Sequence, residues 1–319
     1  MKINILLPRR MVGTTKWGID LATSLEKHGI DVRVWRGEIQ VLKSLFLAKG
    51  DLIHSTVPIP WKPHGMPLIF SIHGYFRIEN NPYGWAYPRA INIADLIVTP
   101  TEHLKRTMNL PAKTIVIPNG VALPDRIRKK IIIADEFKCL TITNFYFREK
   151  AYGIVQLVKN LNNFVMKKKI NTILNILGTG PLLDEVMNRC KNHGKLLKVN
   201  FLGFQNPAEY FRDSDIFLYY SKLDVMPLVI LEALSQGMVV LTNEYGAAKE
   251  IIDTGKNGFI AQSDLNYVEI LGKIFDKKFK LSEIEIAARS TIVAEFNDES
   301  ITKCWIKFYR EIISNEKNM

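Results

Sequence analysis

Asp224 and Glu232 stand eight residues apart with Pro227 between them, in the stretch Ser-Lys-Leu-Asp-Val-Met-Pro-Leu-Val-Ile-Leu-Glu-Ala-Leu-Ser-Gln-Gly over residues 221–237. The apolar run Ile-Phe-Leu-Tyr-Tyr at 216–220 comes just before it and is short and aromatic enough for a buried strand. Pro227 suits the first position of a helix, where its missing amide hydrogen would have no partner anyway, and Gly237 suits the stop. The predicted order is strand, polar loop, helix. First-turn amides of such a helix lack intrahelical partners and lie at the positive end of its dipole, a place for a phosphate. Two carboxylates then frame the anion site. The same spacing also describes an exposed loop aspartate and a solvent-facing helical glutamate.

Other residues with chemical potential fall at predicted strand ends. His73, in Ile-Phe-Ser-Ile-His-Gly, ends a strand predicted over 68–72, where an imidazole can hydrogen-bond a ligand, although a lone histidine is more often structural. His54 ends another and is the weaker candidate. Arg148 and Lys150 lie in a predicted loop, 144–153, between a strand at 139–143 and a helix over 154–165. Gly178-Thr179-Gly180-Pro181 joins a strand at 172–177 to a following helix, a turn that lets a ligand approach the backbone closely. Asp213-Ser214-Asp215 has an Asp-x-Asp pattern, but it precedes the strand at 216–220, whereas ligands of parallel sheets gather at carboxyl ends. No other cluster has metal-ligand spacing, so metal-independent chemistry is expected.

The elements that must position these residues come in two series. Strands are predicted at 2–8, 31–35, 52–54, 68–72, 96–99 and 114–117, alternating with helices such as 17–27 and 102–108. A second series runs through 139–143, 172–177, 199–202, 216–220 and 238–242. Such alternation specifies parallel, doubly wound sheets. The loop 11–15, with Gly13, lacks the Gly-x-Gly-x-x-Gly of dinucleotide binders. Asn119-Gly120 reads as a positive-φ turn leaving the first series, and the polar, basic segment 124–135 as the linker. Expected domains are 1–123, 124–298 and a final helix, 299–319, apolar on one face at Trp305 to Ile313.

Composition limits the rest. The chain of 319 residues is 47% hydrophobic, enough for about two domains. No apolar run suits a membrane span, and the run before Pro8-Arg9-Arg10 is too short for a signal peptide. Cys139, Cys190 and Cys304 are odd in number and without metal spacing, which fits a reduced, cytoplasmic setting. The net charge of +11 is spread out, densest at 126–130, 167–169 and Lys277-Lys278, and no nucleic-acid module accompanies it. Solvated faces are the commoner explanation of the clusters at 167–169 and 277–278; peripheral contact with an anionic membrane, at the inner face, ranks ahead of nucleic acid, which is not expected.

The Asp-x7-Glu pattern around Pro227 resembles the Glu-x7-Glu signature of family-4 retaining glycosyltransferases. Ile-Pro-Asn-Gly-Val at 117–121 resembles that family's passage between domains, and Tyr245-Gly246-Ala247-Ala248 its small-residue loop. The resemblance implies an α/β GT-B fold, two Rossmann-like doubly wound parallel-sheet domains facing a cleft. The first domain would bind the acceptor, the second the nucleotide sugar, and the last helix would cross back to the first. The implied reaction moves a sugar from a UDP- or GDP-linked donor to an acceptor hydroxyl on a glycan, a lipid-linked molecule or another compound, with retained configuration and no further cofactor.

By the same resemblance Glu232 would hold the ribose, Asp224 and His73 the sugar, and Arg148 and Lys150 the diphosphate together with the turn of Val225, Met226, Pro227 and Leu228. Gly13, Gly178, Gly180 and Phe204 would line the nucleotide. The chain departs from the family in having Asp at 224, a single glycine at 13 and shifted cations at 148 and 150. A non-catalytic nucleotide-sugar or glycan-binding protein of the same fold is the alternative. A glycosidase fits poorly, because eight residues of helical rise span about 12 Å, beyond the carboxylate spacings of hydrolysis. Acceptor choice would fall to loops 59–66 and 77–88; there Tyr83, Trp85 and Tyr87 are expected to pack.

Overall fold

Mostly apolar segments of three to seven residues become strands, and the computed structural model, which describes residues 1–10, 13–77, 83–124 and 136–317, arranges them in two sheets of six. The first series is β1 (Lys2–Leu7), α1 (Gly13–Lys27), β2 (Asp31–Arg36), α2 (Glu38–Leu47), β3 (Leu52–Ser55), β4 (Leu68–Ser71), α3 (Tyr87–Ile93), β5 (Leu96–Thr99), α4 (Glu102–Thr107) and β6 (Thr114–Val116). Its sheet runs β2-β1-β3-β4-β5-β6, all neighbours parallel. Inner strands β3 and β4 are buried along their whole length, as covered parallel strands must be, while edge strand β2 is mostly exposed.

The second series is β7 (Glu136–Ile142), α5 (Arg148–Lys168), β8 (Asn171–Leu177), α6 (Leu183–Arg189), β9 (Leu197–Phe201), α7 (Pro207–Asp213), β10 (Ile216–Tyr219), α8 (Leu228–Ser235), β11 (Val240–Asn243), β12 (Phe259–Ala261), α9 (Asp264–Phe275) and α10 (Leu281–Glu295). The sheet order is β12-β11-β10-β7-β8-β9, again parallel. Successive strands leave β7 in one direction through β8 and β9, and the other half begins at β10. The crevice beyond the carboxyl ends of β7 and β10 is therefore a topological switch point, where open α/β sheets place ligands. In the first sheet the corresponding position lies between β1 and β3.

The chain forms two compact units, Met1–Gly120 with Phe296–Met319 (unit 1) and Val121–Glu295 (unit 2). The last helix, α11 (Asp298–Lys317), belongs to unit 1 and packs on α1. Trp305 and Tyr309 are fully buried there, and Thr302 donates to Ser24 Oγ at 2.9 Å. Residues 125–135, read from sequence as most of the linker, lie outside the described residues, as do Met11 and Val12.

Some local expectations change. Gly120 has no positive φ. A Cβ on it would stand 2.9 Å from Cα of Asp298, so glycine there admits the start of α11 rather than making a turn. Helix α5 begins at Arg148, not near 154. Gly153, read as part of the preceding loop, is inside this helix. A Cβ there would lie 2.1 Å from the Tyr220 carbonyl oxygen, so the glycine lets α5 touch the end of β10. Pro227 takes the N-cap position, one residue before α8 starts. The stop at Gly237 is as read: φ is 69°, with Met238 N donating to Ala233 O and Gly237 N to Leu234 O.

Candidate functional site

Unit 2 brings Lys150 and Asp224, two of the predicted residues, together at its switch point. The face of α5 that carries Gly153 also carries Lys150, three residues earlier and one turn up. The glycine contact with Tyr220 thus brings Lys150 beside the loop that follows β10. Lys150 Nζ lies 2.6 Å from Asp224 Oδ1, and Tyr219, the last residue of β10, donates its hydroxyl hydrogen to Oδ2. Asp224 is 7% exposed and Lys150 22%, so this is a largely dehydrated pair with both carboxylate oxygens satisfied. Burial, and then the Asp224 carboxylate, hold the Tyr219 phenol well above its ordinary pKa, which keeps it a donor.

The Asp224 loop is held from the other side by Asn243 at the end of β11. Asn243 Oδ1 accepts from Ser221 N at 2.8 Å, its Nδ2 donates to Ser221 O at 2.8 Å, and Ser221 Oγ accepts from Leu223 N. Val225, Met226 and Leu228 are buried through the turn into α8, and Glu232 is half-buried one turn into that helix. A fixed cation, a fixed carboxylate and the start of α8 stand together beyond β7 and β10.

The Gly178-Thr179-Gly180 turn after β8 is stitched to the loop after β7. Phe145 N donates to Thr179 O at 3.0 Å and Leu182 N to Phe145 O at 3.1 Å. Gly178 and Gly180 have φ of 133° and 153°. Cβ atoms would meet Thr143 O at 1.7 Å and the Phe145 carbonyl carbon at 2.5 Å. The close approach these glycines permit is to the chain's own backbone, and it makes one ledge of the two loops. Phe204, beyond β9 and the positive-φ Gly203, is 81% exposed, with its ring outside the core. Arg148 stands apart from Lys150, 200° around the helix at 100° per residue. Its guanidinium lies 5.3 Å from the Tyr152 ring centre.

Unit 1 places His73 just past β4. Its ring centre is 4.3 Å from that of Trp17 on α1, and its buried Nε2 has no hydrogen-bond partner among the described residues. His54 is fully buried and fully engaged, Nδ1 with Tyr309 OH at 2.6 Å and Nε2 with Ser71 Oγ at 2.7 Å. Burial pushes both imidazoles down to about 3, with repulsion from a charge on His73 adding to the effect at His54. Both are neutral at physiological pH. His54 is structural, tying α11 to the sheet; His73 keeps an unused polar atom. Gly13 is the first described residue of α1, and a Cβ there would meet nothing within 4 Å.

A model of glycosyl transferases group 1 matches residues 125–281, and one of Glycosyltransferase Family 4 matches residues 35–123. The chain belongs to the group 1 glycosyltransferases. Among relatives of this chain, an N-acetyl-alpha-D-glucosaminyl L-malate synthase from Bacillus anthracis is 24% identical over 233 residues, 72% of this chain and 59% of that protein. The match thus spans under two thirds of that relative's length. A crystal structure of Anabaena Alr3699/HepE in complex with UDP and glucose superposes with a TM-score of 0.75 at 18% identity, covering 98% of this chain and 100% of that one. A glycosyltransferase from Rickettsia africae gives 0.74 at 15% identity, covering 98% and 99%. These likenesses establish the GT-B fold, two Rossmann-like α/β domains.

Within that fold, Asp215 of the Asp-x-Asp at 213–215 is structural and Asp213 pairs at the surface. Asp215 Oδ2 accepts from Lys138 N at 2.8 Å, and Asp213 pairs with Arg212 at 3.2 Å. Among the described residues no cluster of three or more His, Cys, Asp or Glu side chains is placed to hold a metal ion. Tyr219, Asn243 and Gly153 were missed from sequence. The signal available for Tyr219 was its place as the last strand residue before the acid-bearing loop. The expectation that the 83–87 aromatics pack is overturned for two of them. Trp85 is 82% exposed and Tyr83 is exposed, while Tyr87 stacks on Phe76 at 4.2 Å.

Proposed function

We propose that the chain transfers a sugar from a nucleotide-sugar donor to an acceptor hydroxyl with retained anomeric configuration. The observation that carries this reading is the Lys150–Asp224–Tyr219 group at the β7/β10 switch point. Lys150 meets the donor diphosphate together with the start of α8, and its charge stabilises the nucleotide as it leaves, in place of a metal ion. Asp224, fixed by Tyr219 and Lys150, accepts hydrogen bonds from the transferred sugar. Glu232 takes the ribose hydroxyls. His73 in unit 1, neutral and with Nε2 unused, supplies a further hydrogen bond to a sugar hydroxyl. The acceptor hydroxyl attacks on the face the nucleotide leaves, passing its proton to a phosphate oxygen, and the anomeric configuration is kept.

UDP is the first donor nucleotide to try, because the Anabaena structure holds UDP and glucose. The acceptor is a glycan, a lipid-linked molecule or another hydroxyl compound. The test is a thermal-shift screen against UDP-, GDP-, ADP- and dTDP-sugars, run on the wild type and on Glu232→Ala. A donor that raises the melting temperature of the first and not the second supports the site. No shift with any nucleotide sugar removes the donor reading. Release of nucleotide on adding acceptor separates a transferase from a non-catalytic binder of the same fold.

A further inference from the structure

Helix α2 has an outward face of the wrong polarity for a surface helix. Its buried side is formed by Ser44 and Leu45, with Val41 half-buried beside them. At 100° per residue the opposite side carries Ile39, Leu42, Phe46 and Leu47. These are exposed by 71%, 56%, 59% and 60%. A soluble helix would put polar residues there.

The patch extends beyond the helix. The Phe46 ring meets exposed Trp61 edge-on at 5.8 Å. Tyr83 OH reaches toward Glu38 Oε1 at 3.5 Å, which sets the turn bearing exposed Trp85 beside the start of α2. The charges around it are mostly positive. Lys43 lies in the middle of the apolar face, Lys49 follows the helix, and exposed Arg89 donates to Pro60 O at 2.6 Å, next to Trp61. From residue 33 to residue 62 the chain has five cations and two acids.

We propose that this face of unit 1 docks on an anionic lipid bilayer, with α2 lying in the plane of the interface. Aliphatic side chains enter the acyl boundary and the tryptophans and Tyr83 settle at headgroup level. Lys43, Lys49 and Arg89 extend their stems along the apolar surface to reach lipid phosphates. Lysine in the centre of the patch argues for lipid over protein, since the buried centres of protein interfaces are depleted in it. The proposal does not depend on the donor site.

The test is co-sedimentation of the full chain, without nucleotide sugar, with vesicles of phosphatidylcholine alone or mixed equally with phosphatidylglycerol. The wild type should partition at least ~tenfold more strongly to the mixed vesicles, and its tryptophan emission should shift to shorter wavelength on binding. Leu42→Ser/Phe46→Ser and, separately, Lys43→Ala/Lys49→Ala should each lose ~tenfold or more of that partition while melting normally. Wild type that stays in the supernatant, or a Leu42/Phe46 variant that sediments like wild type, overturns the proposal. A wild type that is dimeric in solution, with a monomeric Leu42/Phe46 variant and no vesicle binding, would give the face to a second copy instead.

Discussion

Tyr219 donates its hydroxyl hydrogen to Oδ2 of Asp224 from the last position of β10, and so fixes the plane of a carboxylate whose other oxygen is held by Lys150. Tyr219→Phe keeps the ring contacts and leaves Oδ2 buried without that donor, a change costing ~1–3 kcal/mol. If Asp224 grips the sugar in the transition state, kcat/KM with the donor should fall ~tenfold or more, with a smaller change in nucleotide-only binding. An unchanged kcat/KM would show that the carboxylate plane does not matter to the reaction.

Asp224→Glu would make the motif match the family signature, yet the structure predicts a loss. The carboxylate already touches Lys150 and Tyr219 inside a loop pinned by Asn243, so an extra methylene must push one of them aside. Overpacking of this kind costs ~1–3 kcal/mol. Melting temperature and donor turnover should both fall; a rise in turnover would mean that the loop yields.

Gly178→Ala and Gly13→Ala should separate two kinds of loop glycine. At Gly178 a Cβ would run into Thr143 O with φ at 133°, so unit 2 should lose ~3 kcal/mol or more, read as a lower urea midpoint by far-ultraviolet circular dichroism. At Gly13 there is open space, and stability should stay within ~1 kcal/mol of wild type. A raised KM in the stable Gly13→Ala variant would then indicate that a ligand comes close to that position.

Unit 1 should weaken in mild acid. His54 and His73 are held neutral with pKa values near 3. Below about 6.5 the unfolded chain takes up protons that the folded unit refuses, so stability falls as pH drops through that window, by up to ~1.4 kcal/mol per pH unit for each histidine. All five tryptophans, at 17, 35, 61, 85 and 305, belong to unit 1, so their fluorescence follows its urea unfolding separately from unit 2. The midpoint should be lower at pH 5 than at pH 7, and the difference should shrink in His54→Gln. Equal midpoints for the wild type would mean that the imidazoles are not dehydrated.

Strands were readable because central parallel strands are covered on both faces and appear as unbroken apolar runs, such as Ile-Phe-Leu-Tyr at 216–219. Gly237 was readable as a stop because its local backbone demands glycine. Gly153 was misread because what requires it, the Tyr220 carbonyl, lies 67 residues away in sequence. Gly120 misled for the same reason, its neighbour being Asp298. Helix α2 went unseen because apolar residues on both its faces erase the periodicity that marks a surface helix. In the candidate site, Asp224 and Lys150 were singled out by type, position and family resemblance, but their pairing and the Tyr219 donor depend on contacts that no spacing encodes.

Because α11 returns to unit 1, unit 2 is, along the chain, an insert within unit 1. Trp17 and His54 are synthesised early, yet their partners Trp305 and Tyr309 arrive only after all of unit 2. At roughly 5–20 residues per second that delay is on the order of 13–58 s. During it every residue of unit 2 is added while unit 1 still lacks Trp305 and Tyr309. All of unit 2 is thus on the chain before unit 1 receives its last helix, and the cluster of Trp17, His54, Trp305 and Tyr309 is the last part of unit 1 to be completed.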